Sequence, residues 1–318
     1  MVLDVVFPIA VLISGIVLLN FSSKKAVEHS VHVASALGIS SLMIGLILVS
    51  VGTDLPEIAN SIISCSQGHG DIDVGDSLGS ILTQITLVLG LLPFLSRSFK
   101  VKRKEALVIG GIQVLTIILA VSVAITGFTR EKAFLLILSW PILLWVIKKT
   151  TAKGIRKKKH FERISTRHYL VDLLIAVLGF AGVAIGAVAV VQSVISLSTI
   201  LGAPEFLLSF FVLAIGTSLP ELVVDLTAVR KRQYELVVGD IIGSCIVDAT
   251  VSISIGQLLF PTAVFVDAPQ HSLNLALYAI LASAVVIVFI ALRKKVDRKA
   301  GAFFISIYAF AYILLYLM

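Results

Sequence analysis

Glu57 and Glu221 stand inside apolar stretches, each directly after a proline, and they lie 164 positions apart. Placing a carboxylate at membrane depth costs roughly 2.5–3.5 kcal/mol or more, so such residues usually serve a function. Pro56 and Pro220 have no N–H to donate, and their rings clash with the carbonyl four residues back. They therefore free the carbonyls of Gly52 and Gly216 within otherwise helical runs. Freed carbonyls, the Thr53 and Thr217 hydroxyls and the two glutamates together form a set of hard oxygen donors. Such a set suits Ca²⁺ or Na⁺ and disfavours softer metals. Asp54, Glu57, Glu221 and Asp248 are embedded in these stretches with no Lys or Arg beside them. Buried charges need partners, so bound cations or protons are the available counter-charges.

A second segment in each half supplies a facing wall. Asp76, Ser80 and Gln84 recur at i, i+4 and i+8, as do Asp240, Ser244 and Asp248, which puts each trio on one helical face. Gly75, Gly79, Gly239 and Gly243 are small enough for another helix to approach closely. The deeper members, Ser80, Gln84, Ser244 and Asp248, are the candidates for coordination. Asp76 and Asp240 read equally well as members of this wall or as peripheral acids near helix starts. Asp225, one turn past Glu221, reads as a pathway residue or a solvated acid.

The elements that must hold these residues follow from a duplication. Residues 37–57 align with 201–221, VGDSLGS at 74–80 with VGDIIGS at 238–244, and Gly15 with Gly179, all at the same offset of 164. The chain has 318 residues, of which 58% are hydrophobic and 14% charged, far fewer charges than a soluble protein carries. Ten apolar segments are expected to span a membrane: 5–21, 37–66, 74–95, 105–127, 132–147, 169–192, 203–229, 237–260, 272–292 and 301–317. Of the 26 Lys and Arg, 24 follow odd-numbered spans, including Lys24, Lys25 and nine in 148–168. These loops are expected to be cytoplasmic, with both termini outside and Asp71, Asp73 and Asp267 in the opposite loops. Five spans per half make the halves, 1–147 and 169–318, inverted repeats around a basic 148–168 linker. The fold expected is an all-α polytopic cell-membrane protein with helices 2, 7, 3 and 8 broken. The N-terminus lacks a basic n-region and reads as the first span, not as a signal peptide.

The net charge of +7 is topogenic and does not point to nucleic acid. The linker could touch anionic lipid, but a solvated connector fits it better. Cys65 and Cys245 have neither zinc nor disulfide spacing.

With these residues in view, the chain resembles the cation/Ca²⁺ antiporter superfamily, nearest its prokaryotic Na⁺/Ca²⁺ exchangers. GTSLPE at 216–221 and GSCIVD at 243–248 match that family's second repeat; GTDLPE at 52–57 and GSILTQ at 79–84 keep the frame of the first. The resemblance implies exchange of Ca²⁺ for Na⁺ by alternating access, with no enzymatic activity and no cofactor. Glu57 and Glu221 would be the central divalent ligands, helped by Thr53 and Thr217. Ser80, Ser218, Ser244 and Asp248 would complete the surrounding sites. Asp54 and Gln84 depart from the family's usual Ser and Asn. A buried extra carboxylate is a natural proton carrier, because burial disfavours its charge. Ca²⁺/H⁺ exchange is therefore the alternative.

Two rivals remain. An intramembrane aspartyl protease would need glycine at 73 and 237, where Asp73 and Val237 stand. A passive cation channel shares buried acids but not inverted repeats with broken helices. His29 and His32, beside Lys24 and Lys25, read as interfacial histidines.

Overall fold

The structure is a computed structural model that describes residues 2–36, 50–151, 166–230, 232, 234–266 and 269–317. It is built almost wholly of helices. Helix α1 is Val2–Ala36. Helix α2 comprises Ser50–Thr53 and Leu55–Ser66. Helix α3 runs through Gly70–Leu82, a π-helical turn Thr83–Val88 and Leu89–Leu95. A short strand β1 (Phe99–Lys100) precedes α4 (Arg103–Ile125), α5 (Arg130–Thr151) and α6 (Thr166–Leu201). Helix α7 comprises Glu205–Leu208, a π turn Ser209–Leu213, Ala214–Thr217 and Leu219–Arg230. Helix α8 comprises Tyr234–Val247, a π turn Asp248–Ser252 and Ile253–Leu259. Helix α9 (Pro269–Arg293), strand β2 (Lys295–Val296) and α10 (Arg298–Leu317) complete the chain.

Among the described residues, seven helices are long and apolar enough to cross a membrane. They correspond to the expected segments 5–21, 74–95, 105–127, 169–192, 203–229, 237–260 and 272–292. The expected segments 132–147 and 301–317 fall within α5 and α10, which are not among the seven, and 37–66 begins outside the described residues. The chain is a polytopic membrane protein.

Helices α1 and α6 are longer than the segments read from hydropathy. Lys24 and Lys25, read as loop residues, lie inside α1, because no proline or glycine stops it after Asn20. At about 1.5 Å per residue its 35 residues exceed the ~30 Å hydrocarbon thickness. The two helices pack along each other at small residues: Gly15 faces Val190, and Gly179 faces Ala26. His29, read as an interfacial histidine, joins the pair by a 2.6 Å contact from its Nδ1 to Asp172 Oδ1.

At the centre lie α3 and α8, whose spans are 78% and 72% buried against 28% for α1. Every residue of Gly70–Leu82 is buried. Gly75 and Gly79 let this segment lie directly on the Phe206–Phe210 backbone of α7; a Cβ at Gly79 would collide with the Phe210 carbonyl. Gly239 and Gly243 stand at the equivalent positions of α8.

Asp71 and Asp73, read as loop acids, occupy the first turn of α3 and are buried. Asp71 accepts the Phe265 and Val266 amides of the loop after α8. Asp73 Oδ2 accepts from Gln257 Nε2 and Cys65 Sγ, both at 3.3 Å. Partners contributed by other elements draw these acids inward.

The loops after α3 and α9 meet at one end of the molecule, where Phe99 pairs with Val296 and Lys100 with Lys295. The Ala300 amide, with Arg293 and Lys295 alongside, holds the Asp297 carboxyl there below the ordinary carboxylate range.

Gly79→Val is expected to destabilise the protein by about 1–3 kcal/mol through overpacking. Gly111→Ala, where a Cβ meets nothing within 4 Å, is expected to be neutral or stabilising. Thermal unfolding in detergent compares the two.

Candidate functional site

The two proline motifs break their helices at equivalent positions. Asp54 (φ −83°, ψ 8°) interrupts α2, and Ser218 (φ −80°, ψ 8°) interrupts α7. Each helix restarts at a leucine followed by the proline, which puts Glu57 and Glu221 in a first turn. There the helix end carries partial positive charge and favours a carboxylate.

The carbonyls freed by the prolines have a different fate from the one expected. Ser23 Oγ donates to the Gly52 carbonyl at 3.0 Å, and Asn20 Nδ2 donates to the Gly216 carbonyl at 3.0 Å. Both donors come from α1. These two carbonyls are therefore paired within the protein and are not vacant ligands. A buried carbonyl without a partner is costly, so a nearby donor takes it. The donors had no sequence signal, because Asn20 and Ser23 are distant in the chain and ordinary in a helix.

The facing helices also differ from expectation. Helices α3 and α8 are not broken; each widens into a π turn, at Thr83–Val88 and Asp248–Ser252. Gln84 and Asp248 lie in those turns. Such turns add a residue to the helix circumference and recur at functional sites.

The structure draws the expected side chains together. Ser80 Oγ donates to Glu57 Oε1 at 3.2 Å and lies 3.3 Å from Thr217 Oγ1. Gln84 Nε2 donates to Asp248 Oδ2 at 3.2 Å, and Cys245 Sγ donates to Gln84 Oε1 at 3.4 Å. Glu221 lies within electrostatic reach of Glu57, Asp54 and Asp248. Thr53, Asp54, Glu57, Ser80, Gln84, Thr217, Ser218, Glu221, Ser244 and Asp248 are all buried.

What distinguishes this cluster is its unused oxygen. Both oxygens of Asp54 and of Glu221, Glu57 Oε2, Asp248 Oδ1, Ser218 Oγ and Ser244 Oγ are buried without a hydrogen-bond partner. Among the described residues, the ion pairs of Lys and Arg involve none of these acids. No three His, Cys, Asp or Glu among the described residues close on one metal position. A cation here would therefore draw on hydroxyl, amide and water oxygens as well as carboxylates.

Three acids that sequence left open are also buried. Asp225 is not solvated: it is fully buried, with neither oxygen partnered. Asp240 is 4% exposed, its Oδ2 is unpartnered, and it lies within electrostatic reach of Asp225 and Asp54. Asp76 is 1% exposed and held by Asn60 and Thr217. Their repeat at the 164 offset was the available signal for Asp76 and Asp240. Asn60 had none, since Val224 stands at the equivalent position. A largely apolar cavity of about 630 Å³ reaches both helix breaks, lined by Ile16, Val17, Phe21 and Asn20 of α1, by Gly52 and Thr53, and by Leu219, Pro220 and Val223.

The chain is similar to known proteins along most of its length. Residues 7–149 and 171–317 match the family model described as sodium/calcium exchanger protein. An uncharacterised membrane protein of Methanocaldococcus jannaschii is 28% identical, over 93% of this chain and 94% of that protein. The sodium/calcium exchanger MaX1 of Methanosarcina acetivorans is 25% identical, over 96% and 98%. A solved structure of the sodium-calcium exchanger NCX_Mj superposes with a TM-score of 0.63 at 25% identity, covering 97% of this chain and 99% of that one.

Ser23→Ala and Asn20→Leu each orphan one buried carbonyl and are expected to cost about 1–3 kcal/mol. Thermal unfolding of the purified variants measures this.

Proposed function

We propose that this chain, which belongs to the sodium/calcium exchanger protein family, is a secondary active antiporter exchanging Ca²⁺ for Na⁺ by alternating access. In this reading the site lies near the middle of the membrane, between two inverted five-helix repeats at 1–147 and 169–318, joined by the basic 148–168 linker. The ten-helix plan has both termini outside the cell membrane and the basic loops in the cytoplasm. Contacts between positions related by the 164 offset support it: Gln84 meets Asp248, and Ile81 meets Cys245. The Gly15–Val190 and Gly179–Ala26 approaches exchange under the same offset. A two-fold relation between the halves requires such pairs.

One observation carries the reading: buried oxygens of Asp54, Glu57, Glu221, Ser218, Ser244 and Asp248 lack donors and lack basic side chains. A mobile hard cation supplies what they lack. Glu57 and Glu221 act as the central divalent ligands, with Thr53 and Thr217. Ser80, Ser218, Ser244, Gln84, Asp54 and Asp248 form the flanking Na⁺ positions. Membership of a transporter family answers the protease alternative.

A second reading, H⁺ in place of Na⁺, is favoured by Asp54. Its carboxyl is buried and unpaired, and Asp225 and Asp240 add further acid nearby. One divalent ion cannot neutralise all of these groups, and protons can make up the difference.

Ca²⁺ uptake into proteoliposomes, with Na⁺ and pH gradients imposed separately, distinguishes the two. Uptake against a Ca²⁺ gradient, driven by outward Na⁺, is expected; a passive channel cannot produce it. Glu57→Gln and Glu221→Gln are expected to reduce divalent transport to background while the protein stays monodisperse. Full transport by both variants sinks the assigned site. Asp54→Ser is expected to increase dependence on Na⁺ and reduce dependence on pH.

A further inference from the structure

Asp76 lies outside the ligand set proposed above, yet it is buried and both of its oxygens are engaged. Asn60 Nδ2 donates to Oδ2 at 3.0 Å, and Thr217 Oγ1 donates to Oδ1 at 3.1 Å. The carboxylate thus links α2, α3 and α7 at one point.

Thr217 has a single hydroxyl proton and several acceptors in reach. Asp76 Oδ1 stands at 3.1 Å, the Leu213 carbonyl and Ser80 Oγ at 3.3 Å and the Ala214 carbonyl at 3.4 Å, while Glu57, a second carboxylate in reach, already accepts from Ser80. A threonine inside a helix ordinarily returns its proton to the carbonyl one turn back. Here the nearest acceptor is a carboxylate, and a charge-assisted bond is roughly twice as strong as a neutral one. The proton therefore goes to Asp76, and the lone pairs of Thr217 are left on the side of Ser80 and Glu57, where Ser80 Oγ is 3.3 Å away.

We infer that Asp76 is a positioning residue that fixes the Thr217 hydroxyl as a cation ligand, with Asn60 holding Asp76 in place. This rests on the reading of Thr217 as a ligand. The brace from Asn60 is not repeated in the other half. At the 164 offset, Thr53 and Asp240 repeat Thr217 and Asp76, but Val224 stands where Asn60 would be, and Asp240 Oδ2 is unpartnered. The Thr217 hydroxyl is thus oriented before the ion arrives, and preorganisation of that kind raises affinity.

The test uses the full-length protein in proteoliposomes, with Ca²⁺ as the probe. Asp76→Ala is expected to raise the half-saturating Ca²⁺ concentration about tenfold with the maximal rate nearly unchanged, the pattern of lost ground-state binding. Asp76→Asn is expected to raise it by less, about threefold, because the bond to Thr217 survives without charge assistance. Its amide oxygen still accepts from Thr217, and Asn60 can flip, because Asn60 Oδ1 has no partner and can accept the new N–H. Asp76→Ala added to Thr217→Val is expected to cost nothing beyond Thr217→Val alone, since the first acts through the second. Where Asp76→Ala does not fold, Asn60→Val copies the other half and is expected to raise the same concentration about threefold.

Equal losses in Asp76→Asn and Asp76→Ala, or additive losses in the double variant, overturn the positioning role. Normal affinity in Asp76→Ala alongside weak binding in Thr217→Val overturns it while leaving Thr217 a ligand. Normal affinity in Thr217→Val removes the ligand reading itself.

Discussion

Carboxylates buried without basic side chains are the constraint on which this structure turns. A membrane interior offers no water to solvate them, so the protein must stabilise them with dipoles and hydroxyls or leave them to a mobile cation. It satisfies only some of them from within. Glu57 and Glu221 sit at the starts of helical segments, and Glu57 accepts from Ser80. Both oxygens of Glu221 and of Asp54 are left without donors. A fully satisfied cluster would have no affinity left for an ion. A wholly unsatisfied one would be too costly to hold together.

Holding the cluster requires broken helices, and breaks expose backbone. Helix α1 answers for both of them, with Ser23 on Gly52 and Asn20 on Gly216. The positions related to these donors in α6 are Ala187 and Ala184, which cannot donate from their side chains. The two long helices are therefore alike in packing and unlike in polar chemistry. The central helix α3 supplies the rigid counterpart, lying glycine-to-backbone against α7 so that Ser80 and Asp76 reach Thr217.

Duplication gave the chain two copies of each motif, and divergence made them unequal. Asp54 stands against Ser218, Gln84 against Asp248, and Asn60 against Val224. Each pair puts an acid or a donor on one side only. Gln84 donates to its own counterpart Asp248, which an aspartate at position 84 could do only with a proton between the two carboxylates.

The sequence by itself determined the membrane class, the repeat, the two breaks and the residues that crowd the centre. Hydropathy, proline chemistry and a fixed offset are properties of the chain read in order, and they survive folding. It did not reveal that Gly52 and Gly216 are already paired, that α3 and α8 widen at π turns instead of breaking, or that Asp71, Asp73 and Asp225 are buried. Nor did it show that Lys24 and Lys25 continue a helix, or that Asn60 reaches Asp76. Those outcomes depend on which donor from a distant element arrives within about 3 Å of a given oxygen. Only the packed tertiary structure decides that, because approach between helices is set by small residues and side-chain volumes on both partners at once.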